Sequence, residues 1–299
     1  MLRPGWKKAF FGLALTAICL LFAFPILYLI LTALRPASEV YYVWKGTQIT
    51  FDNFAQALAT PDMKRSFLDS GLVATTATIL SLAITVQSGY MLSRFRGRMA
   101  NTWFGLVYVF RTIPYITWVL PLYVVEERLR VLDSFTGILL PHMTVHICFF
   151  SWLMKGFFDG IDPDMEFVAQ IDGCSRWGAF FKIALPQAVP GVAALAILTW
   201  LWTWNEFLFA LILTGSKTPM LTVTMAQFVH ELGIEWNLMS ATAVMALMPA
   251  IIVVLFAQEA GEPVSQALRD SGALIVAFGK GGGDSSVTWF SNHAAECGI

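Results

Sequence analysis

Six runs of this chain are each long and apolar enough to cross a lipid bilayer, a requirement that excludes most folds at once. A spanning helix takes roughly 20 apolar residues. The runs lie at about 9–34, 68–92, 103–125, 135–158, 189–213 and 238–258. Hydrophobic residues make up 57% of the 299 residues and charged residues 13%, with a mean hydropathy of +0.66. A soluble core of this length has no use for so much apolar surface. The predicted fold is an all-α, polytopic membrane bundle of six transmembrane helices. Pro25, Pro114, Pro121, Pro141 and Pro249 fall inside the runs. They are read as tolerated kinks, because neighbouring helices satisfy the backbone group a proline frees. The formal net charge of −1 gives no footing for nucleic acid, and the four cysteines show no CxxC spacing that would point to a metal site.

The first run follows Arg3, Lys7 and Lys8 and is too long for the apolar region of a signal peptide. Thr32-Ala33-Leu34-Arg35 is also a poor cleavage site, so the run is read as a helix and anchor. Basic residues then set the orientation. One set of segments holds Arg3, Lys7 and Lys8, then Arg94, Arg96 and Arg98, then Lys155, Arg176 and Lys182. The opposite set holds Arg35, Lys45, Lys64 and Lys217, spread over longer loops and mixed with acids. The positive-inside rule puts both termini and residues 159–190 in the cytoplasm.

Residues 159–190 form a polar interruption with structure of its own. Asp162-Pro163-Asp164 reads as a helix start, with Met165, Val168 and Ala169 on one face and Glu166, Gln170 and Asp172 around the rest. Gly173 turns the chain, and Ser175 caps a second short helix striped by Trp177, Phe180, Phe181 and Ile183. Pro186 and Pro190 are expected to reset the chain before the fifth span. Physics alone leaves two readings of this elbow: a knob that docks a soluble partner, or an amphipathic helix lying on the membrane.

At these residues the sequence resembles a family. IDGCSRWGAFFKIALPQAVP looks like the EAA loop of ABC-importer permeases, with matches at Ala169, Ile171, Asp172, Gly173, Ser175, Phe180, Leu185 and Pro186. The Glu-Ala-Ala triplet falls on Phe167, Val168 and Ala169, which leaves Glu166 as the nearest carboxylate, one place early. Further segments resemble the maltose-type, carbohydrate-importing branch. They are ITFDNFAQAL at 49–58, SGYMLSRFRGR at 88–98, RTIPYITWVLPLYVV in the third span, Trp204-Asn205-Glu206-Phe207 in the fifth and Glu235-Trp236-Asn237 before the sixth.

The resemblance implies a type I ABC-importer permease domain over residues 1–258, in a prokaryotic inner or plasma membrane. It implies a non-enzymatic transport subunit that moves a sugar, oligosaccharide or polyol-like solute. Its expected partners are a second permease subunit forming a heterodimer, two ABC ATPase subunits and an extracytoplasmic solute-binding protein. No cofactor is expected on this chain, since ATP and Mg would sit on the ATPases. The coupling contacts would come from Glu166, Phe167, Ala169, Asp172, Gly173, Ser175, Phe180, Leu185 and Pro186.

Inside the bundle, Asn205 and Glu206, with Trp204 beside them and Arg111 in the third span, are candidates for lining the solute pathway. An ionisable group in a membrane span is a functional hypothesis by default. The competing reading is a structural hydrogen bond for Glu206 and an interfacial belt for the tryptophans. His142 and His146, at i and i+4, share one helix face and are read as packing or pore lining, since no third metal ligand is apparent. An ion- or proton-coupled carrier using Glu206, Arg111 and the histidines is the alternative class. Permeases for phosphate or amino acids are the rivals within the importer class. Gly279-Lys280 lacks the Ser or Thr and the glycine spacing of a phosphate loop. Residues 259–299 form an atypical tail, turn-rich at 279–286, in which 274–278 is too short for a seventh span.

Overall fold

A computed structural model describes residues 4–41, 48–95, 97–114, 116–231 and 233–270. Lys45, Arg96, the Gly279-Lys280 pair and the turn-rich part of the tail lie outside the described residues, as does the side chain of Arg111. The structure is almost wholly helical, and it divides into two compact units. One holds Met1–Asp69 with Pro219–Pro249; the other holds Ser70–Thr218 with Ala250–Ile299.

In the first unit, α1 (Pro4–Ala33) is exposed along its apolar length, as Phe11, Leu21 and Phe22 illustrate. A short 3₁₀ turn at Ala37–Glu39 and α2 (Asp52–Ala59) follow. Asn53 is the tie here. Its Nδ2 donates to the carbonyls of Ala33 (2.7 Å) and Arg35 (2.8 Å), closing the end of α1. Asn237 Nδ2 in turn donates to Asn53 Oδ1 at 2.9 Å, and both side chains are buried. Two segments read as motifs, 49–58 and 235–237, therefore meet through one amide pair. A two-residue hairpin, β1 (Val229–His230) against β2 (Gly233–Ile234), leads into the last helix.

Five helices are long and apolar enough to span a membrane among the described residues: Phe10–Ala33, Met63–Arg94, Phe135–Asp159, Arg176–Trp204 and Trp236–Phe256. The third predicted span, 103–125, is not continuous. It is divided into α4 (Arg98–Thr112) and α5 (Ile116–Leu129). Pro114 causes the break: the residue before a proline is pushed out of the helical region, and Ile113 sits at φ −71°, ψ 125°. Pro25, Pro121, Pro141 and Pro190, by contrast, stay within helices.

The fourth span is α6 (Phe135–Asp159), started by Ser134, whose Oγ accepts from Gly137 N at 3.1 Å. It packs against α4 and against α9 (Leu185–Trp204). The predicted fifth span, 189–213, needs correction at both ends. Its helix begins earlier, runs as Arg176–Trp204 and stops there, and α10 (Leu208–Leu213) is a separate turn. The core of the second unit joins Val86 of α3 (Met63–Arg94), Phe150, Met154 and Phe158 of α6, Phe180, and Ala188 and Leu195 of α9. After α11 (Leu221–Ala226) and the hairpin, α12 runs Trp236–Asp270, so the first part of the predicted tail continues the sixth helix.

Candidate functional site

The elbow between α6 and α9 begins where its local chemistry says it should. Asp162 caps α7 (Pro163–Ile171) by accepting from Asp164 N at 3.0 Å, with Pro163 in the first turn. Gly173 has φ +96°, a conformation that favours glycine. Ser175 Oγ accepts from Gly178 N at 3.0 Å and starts α8 (Arg176–Ala179). From there the structure departs from the predicted pair of short helices. The chain passes from α8 through a π-helical segment, Phe180–Ala184, directly into α9. Pro186 directly follows the π-helical segment and stays inside the continuous helix. The elbow is thus one free helix, α7, laid against the leading end of a continuous spanning helix.

Replacing Asp162 or Ser175 by alanine should each cost about 1 kcal/mol of local stability. Faster hydrogen exchange of the α7 or α8 amides would register it, and Asp162→Asn should restore protection. Unchanged exchange in Asp162→Ala would remove the cap from the account.

The buried face of α7 differs from the expected one. Val168 is exposed, whereas Glu166 is 4% exposed and Ala169 is buried. Glu166 is held by the end of α3. Arg94 Nε donates to Glu166 Oε1 at 2.8 Å, and Tyr90 Oη donates to Oε2 at 2.5 Å. The same guanidinium donates through Nη1 to the Phe158 carbonyl and through Nη2 to the Ile161 carbonyl, both at 2.9 Å. Arg94 therefore joins three elements: α3, the C-terminus of α6 and α7. A cation at the carbonyl end of α6 also complements that helix dipole. Beside it, Asp159 accepts from Ser93 (2.7 Å) and pairs with Lys155 (2.5 Å). Phe180 completes the latch below, fully buried with its ring 4.6 Å from that of Tyr90.

Sequence reasoning counted Arg94 only as a topology marker and passed over Tyr90. The usable signal was their i,i+4 spacing on one face of α3, opposite an acid with no local partner.

The outer face of the elbow is apolar. Phe167 (62% exposed), Ile171, Trp177 (55%) and Phe181 stand open to the surroundings. The aromatic stripe predicted from Trp177 to Ile183 is thus divided, with Phe180 and Ile183 facing inward. A groove of about 580 Å³ runs between Arg94, Gln87 and Phe95 on one side and Phe167, Gln170 and Trp177 on the other.

The pathway candidates lie at the far end of α9. Trp204 is buried and stacks on Trp200, ring centroids 5.0 Å apart. Asn205 is exposed, its Nδ2 donating to the Leu201 carbonyl at 2.8 Å. Glu206 lies in the gap between α9 and α10, not within a helix. It is 6% exposed, and its carboxylate accepts from Phe209 N (2.9 Å) and Ala210 N (3.1 Å). Those contacts satisfy amides at the start of α10. His142 and His146 are buried in α6; His146 lies 3.5 Å from both Ser81 Oγ and Thr203 Oγ1.

A bundle of membrane-length helices thus carries a latched, outwardly apolar elbow between α6 and α9. The chain belongs to the family of binding-protein-dependent transport system inner membrane components, which matches residues 79–263. The match passes beyond residue 258, where the sequence reading placed its end. The chain is 30% identical over 270 residues to the arabinooligosaccharides transport system permease protein AraQ of Bacillus subtilis, covering 87% of this chain and 95% of that protein. It is 29% identical to the sulfoquinovosyl glycerol transport system permease protein SmoH of Agrobacterium fabrum, covering 79% and 84%. The fold matches a crystal structure of a bacterial ABC transporter involved in the import of the acidic polysaccharide alginate, with a TM-score of 0.69 at 20% identity, covering 87% and 98%. The chain is therefore a transport subunit of an ABC importer, with ATP hydrolysis on partner subunits. An ion-coupled carrier is set aside.

Proposed function

We propose that this permease carries a sugar or oligosaccharide into the cell, and that residues 163–186 are where an ATPase subunit docks. The docking reading rests on one observation: the elbow is rigidly latched on its inner face while Phe167, Ile171, Trp177 and Phe181 are exposed on its outer one. An exposed apolar patch on a latched element suits a protein interface. A lipid-facing amphipathic helix would not need the buried ion pair. Within the elbow, Ala169 and Phe180 supply packing, Asp162 and Ser175 the caps, and Gly173 the turn. Asp172, Leu185 and Pro186 set how α7 meets α9.

The remaining partners follow from the same reading. A solute-binding protein delivers the sugar, a sister permease completes the pathway as a heterodimer, and the exposed length of α1 suits lipid and that sister chain. Both termini and the elbow lie in the cytoplasm, where ATP and Mg are held by the ATPases. Of the pathway candidates, Asn205 is the one whose exposed side chain suits solute contact. Trp204 and Glu206 shape the gap behind it. The sugar class is supported by relatives that handle arabinooligosaccharides and sulfoquinovosyl glycerol.

Two measurements separate these parts. A thermal-shift screen of sugars, phosphate and amino acids against the cognate binding protein should stabilise it only with sugars; stabilisation by phosphate or amino acids alone would overturn the solute class. In a pull-down of the assembled importer, Phe167→Ser with Trp177→Ser, or Gly173→Pro alone, should lower ATPase retention at least tenfold while the sister permease stays bound. Undiminished retention would remove the docking assignment.

A further inference from the structure

In the first unit, the C-terminal end of α1 and the start of α12 border a pocket of about 360 Å³. Pro25, Tyr28, Leu29 and Thr32 of α1 form one wall. Their i, i+3, i+4, i+7 spacing puts them on a single helix face, over about 10 Å of rise. Tyr41, just past the 3₁₀ turn, and Trp236 and Ser240 of α12 complete the lining. Pro25 lies deepest along α1, while Thr32 is in its last turn and Trp236 is the first residue of α12. The walls are braced. Asn53 holds carbonyls at the end of α1 and is held in turn by Asn237, the neighbour of Trp236. Tyr41 Oη donates to the Ile234 carbonyl at 3.4 Å, tying the turn to β2. The pocket is thus preformed, as small-molecule sites usually are.

Its chemistry favours a cation. Tyr28, Tyr41 and Trp236 are partly exposed and share the pocket, and clustered aromatic rings recognise ammonium ligands. Thr32 Oγ1 donates to the Tyr28 carbonyl at 2.8 Å and so presents its lone pairs as acceptors. Glu39, in the adjoining 3₁₀ turn, keeps Oε2 buried with no hydrogen-bond partner among the described residues. An orphaned carboxylate oxygen is costly unless a donor or cation meets it.

Depth narrows the source of that cation. The apolar run of α1 has 24 residues, Phe10–Ala33. It is about 36 Å long, against a hydrocarbon core of about 30 Å. Its C-terminal end therefore meets the headgroup layer, the level at which Tyr and Trp concentrate in membrane proteins. Beside the pocket α1 is open, with Phe24, Ile26, Leu27 and Leu31 exposed.

We infer that this pocket seats the ammonium headgroup of a phosphatidylethanolamine-type phospholipid, whose acyl chains lie along the exposed face of α1. A primary ammonium carries three N–H donors, which suit the Glu39 carboxylate and the Thr32 hydroxyl. On the topology proposed above, the lipid belongs to the outer leaflet.

Native mass spectrometry of the assembled importer tests this, after incubation with micelles holding equal amounts of phosphatidylethanolamine and phosphatidylglycerol. The wild type is expected to retain phosphatidylethanolamine several-fold over phosphatidylglycerol. Glu39→Gln should cut that preference, Tyr41→Ala with Trp236→Ala should abolish it, and Trp236→Phe alone should keep it. The same spectra show whether each variant holds its sister permease and ATPases, which separates a lost site from a lost assembly. Equal retention of the two lipids by the wild type would overturn the inference, as would a preference unchanged in every variant. Loss of the sister permease from the double variant, with the preference intact in Glu39→Gln, would assign the pocket to the sister chain instead. Displacement of the lipid by an equal concentration of soluble glycerophosphoethanolamine would also overturn it, since recognition would then need no membrane.

Discussion

Arg94→Ala is expected to lower uptake by at least tenfold while the spanning helices still fold. The substitution leaves the Glu166 carboxylate, 4% exposed, facing the site without its cation, and removes a hydrogen-bond donor from the Phe158 and Ile161 carbonyls. Removing one partner of a buried pair costs about 3 kcal/mol or more. That is enough to free α7 from α3 without unfolding the bundle. Glu166→Gln should be milder, since the amide oxygen still accepts from Arg94 while its NH2 can donate to the Tyr90 hydroxyl. Arg94→Lys should fall between, because an ammonium cannot reach the pair and two carbonyls with a planar fork. Reconstituted uptake, read beside ATP hydrolysis, separates the outcomes: a loosened elbow hydrolyses ATP without moving solute. Wild-type uptake in both Arg94→Ala and Glu166→Gln would show that the latch is ornamental.

Gly89→Ala is expected to be nearly as damaging, for a steric reason. A Cβ at Gly89 would sit 2.6 Å from Met154 Cβ and 3.0 Å from the backbone nitrogen of Lys155. Rotating a side chain cannot clear either atom, so α3 and α6 must move apart. Overpacking of this kind costs about 1–3 kcal/mol, and the apparent melting temperature of the purified importer should fall by roughly 5 °C. Gly71 provides the control on the same helix, since a Cβ there meets only Trp204 at 4.0 Å. Gly71→Ala should melt with the wild type. If the two variants melted together, close approach of α3 and α6 would not be what limits stability.

Features decided within a few residues were legible in the sequence. The α6 run, the Asp162 and Ser175 caps and the Gly173 turn all depend on local chemistry, and the structure places them where that chemistry puts them. The divided third crossing was not legible. A proline's consequence in a membrane helix depends on whether neighbours satisfy the carbonyl it frees, and Pro141 and Pro114 look alike until those neighbours are known. The same limit hid the latch. Glu166 and Arg94 are 72 residues apart, so periodicity in α7 pointed to an apolar inner face when the facing surface was the polar end of α3. Glu206 was read as a charge within a span because hydropathy does not reveal that Asn205–Phe207 leaves the helix.

The continuity of Arg176–Trp204 has a mechanical consequence. Its 29 residues form a rod of about 43 Å at 1.5 Å per residue. One end bears the exposed Trp177 and the other ends at Asn205, beside the gap between α9 and α10. A helix backbone hardly stretches, so thrust applied near Trp177 arrives at Trp204 almost undiminished, as along a pushrod. The π-helical turn at Phe180–Ala184 is the joint at which such a rod can swivel. With an ATPase docked at Trp177 and solute passing Asn205, as proposed, one piece of chain would set both the stroke of the engine and the width of the gate.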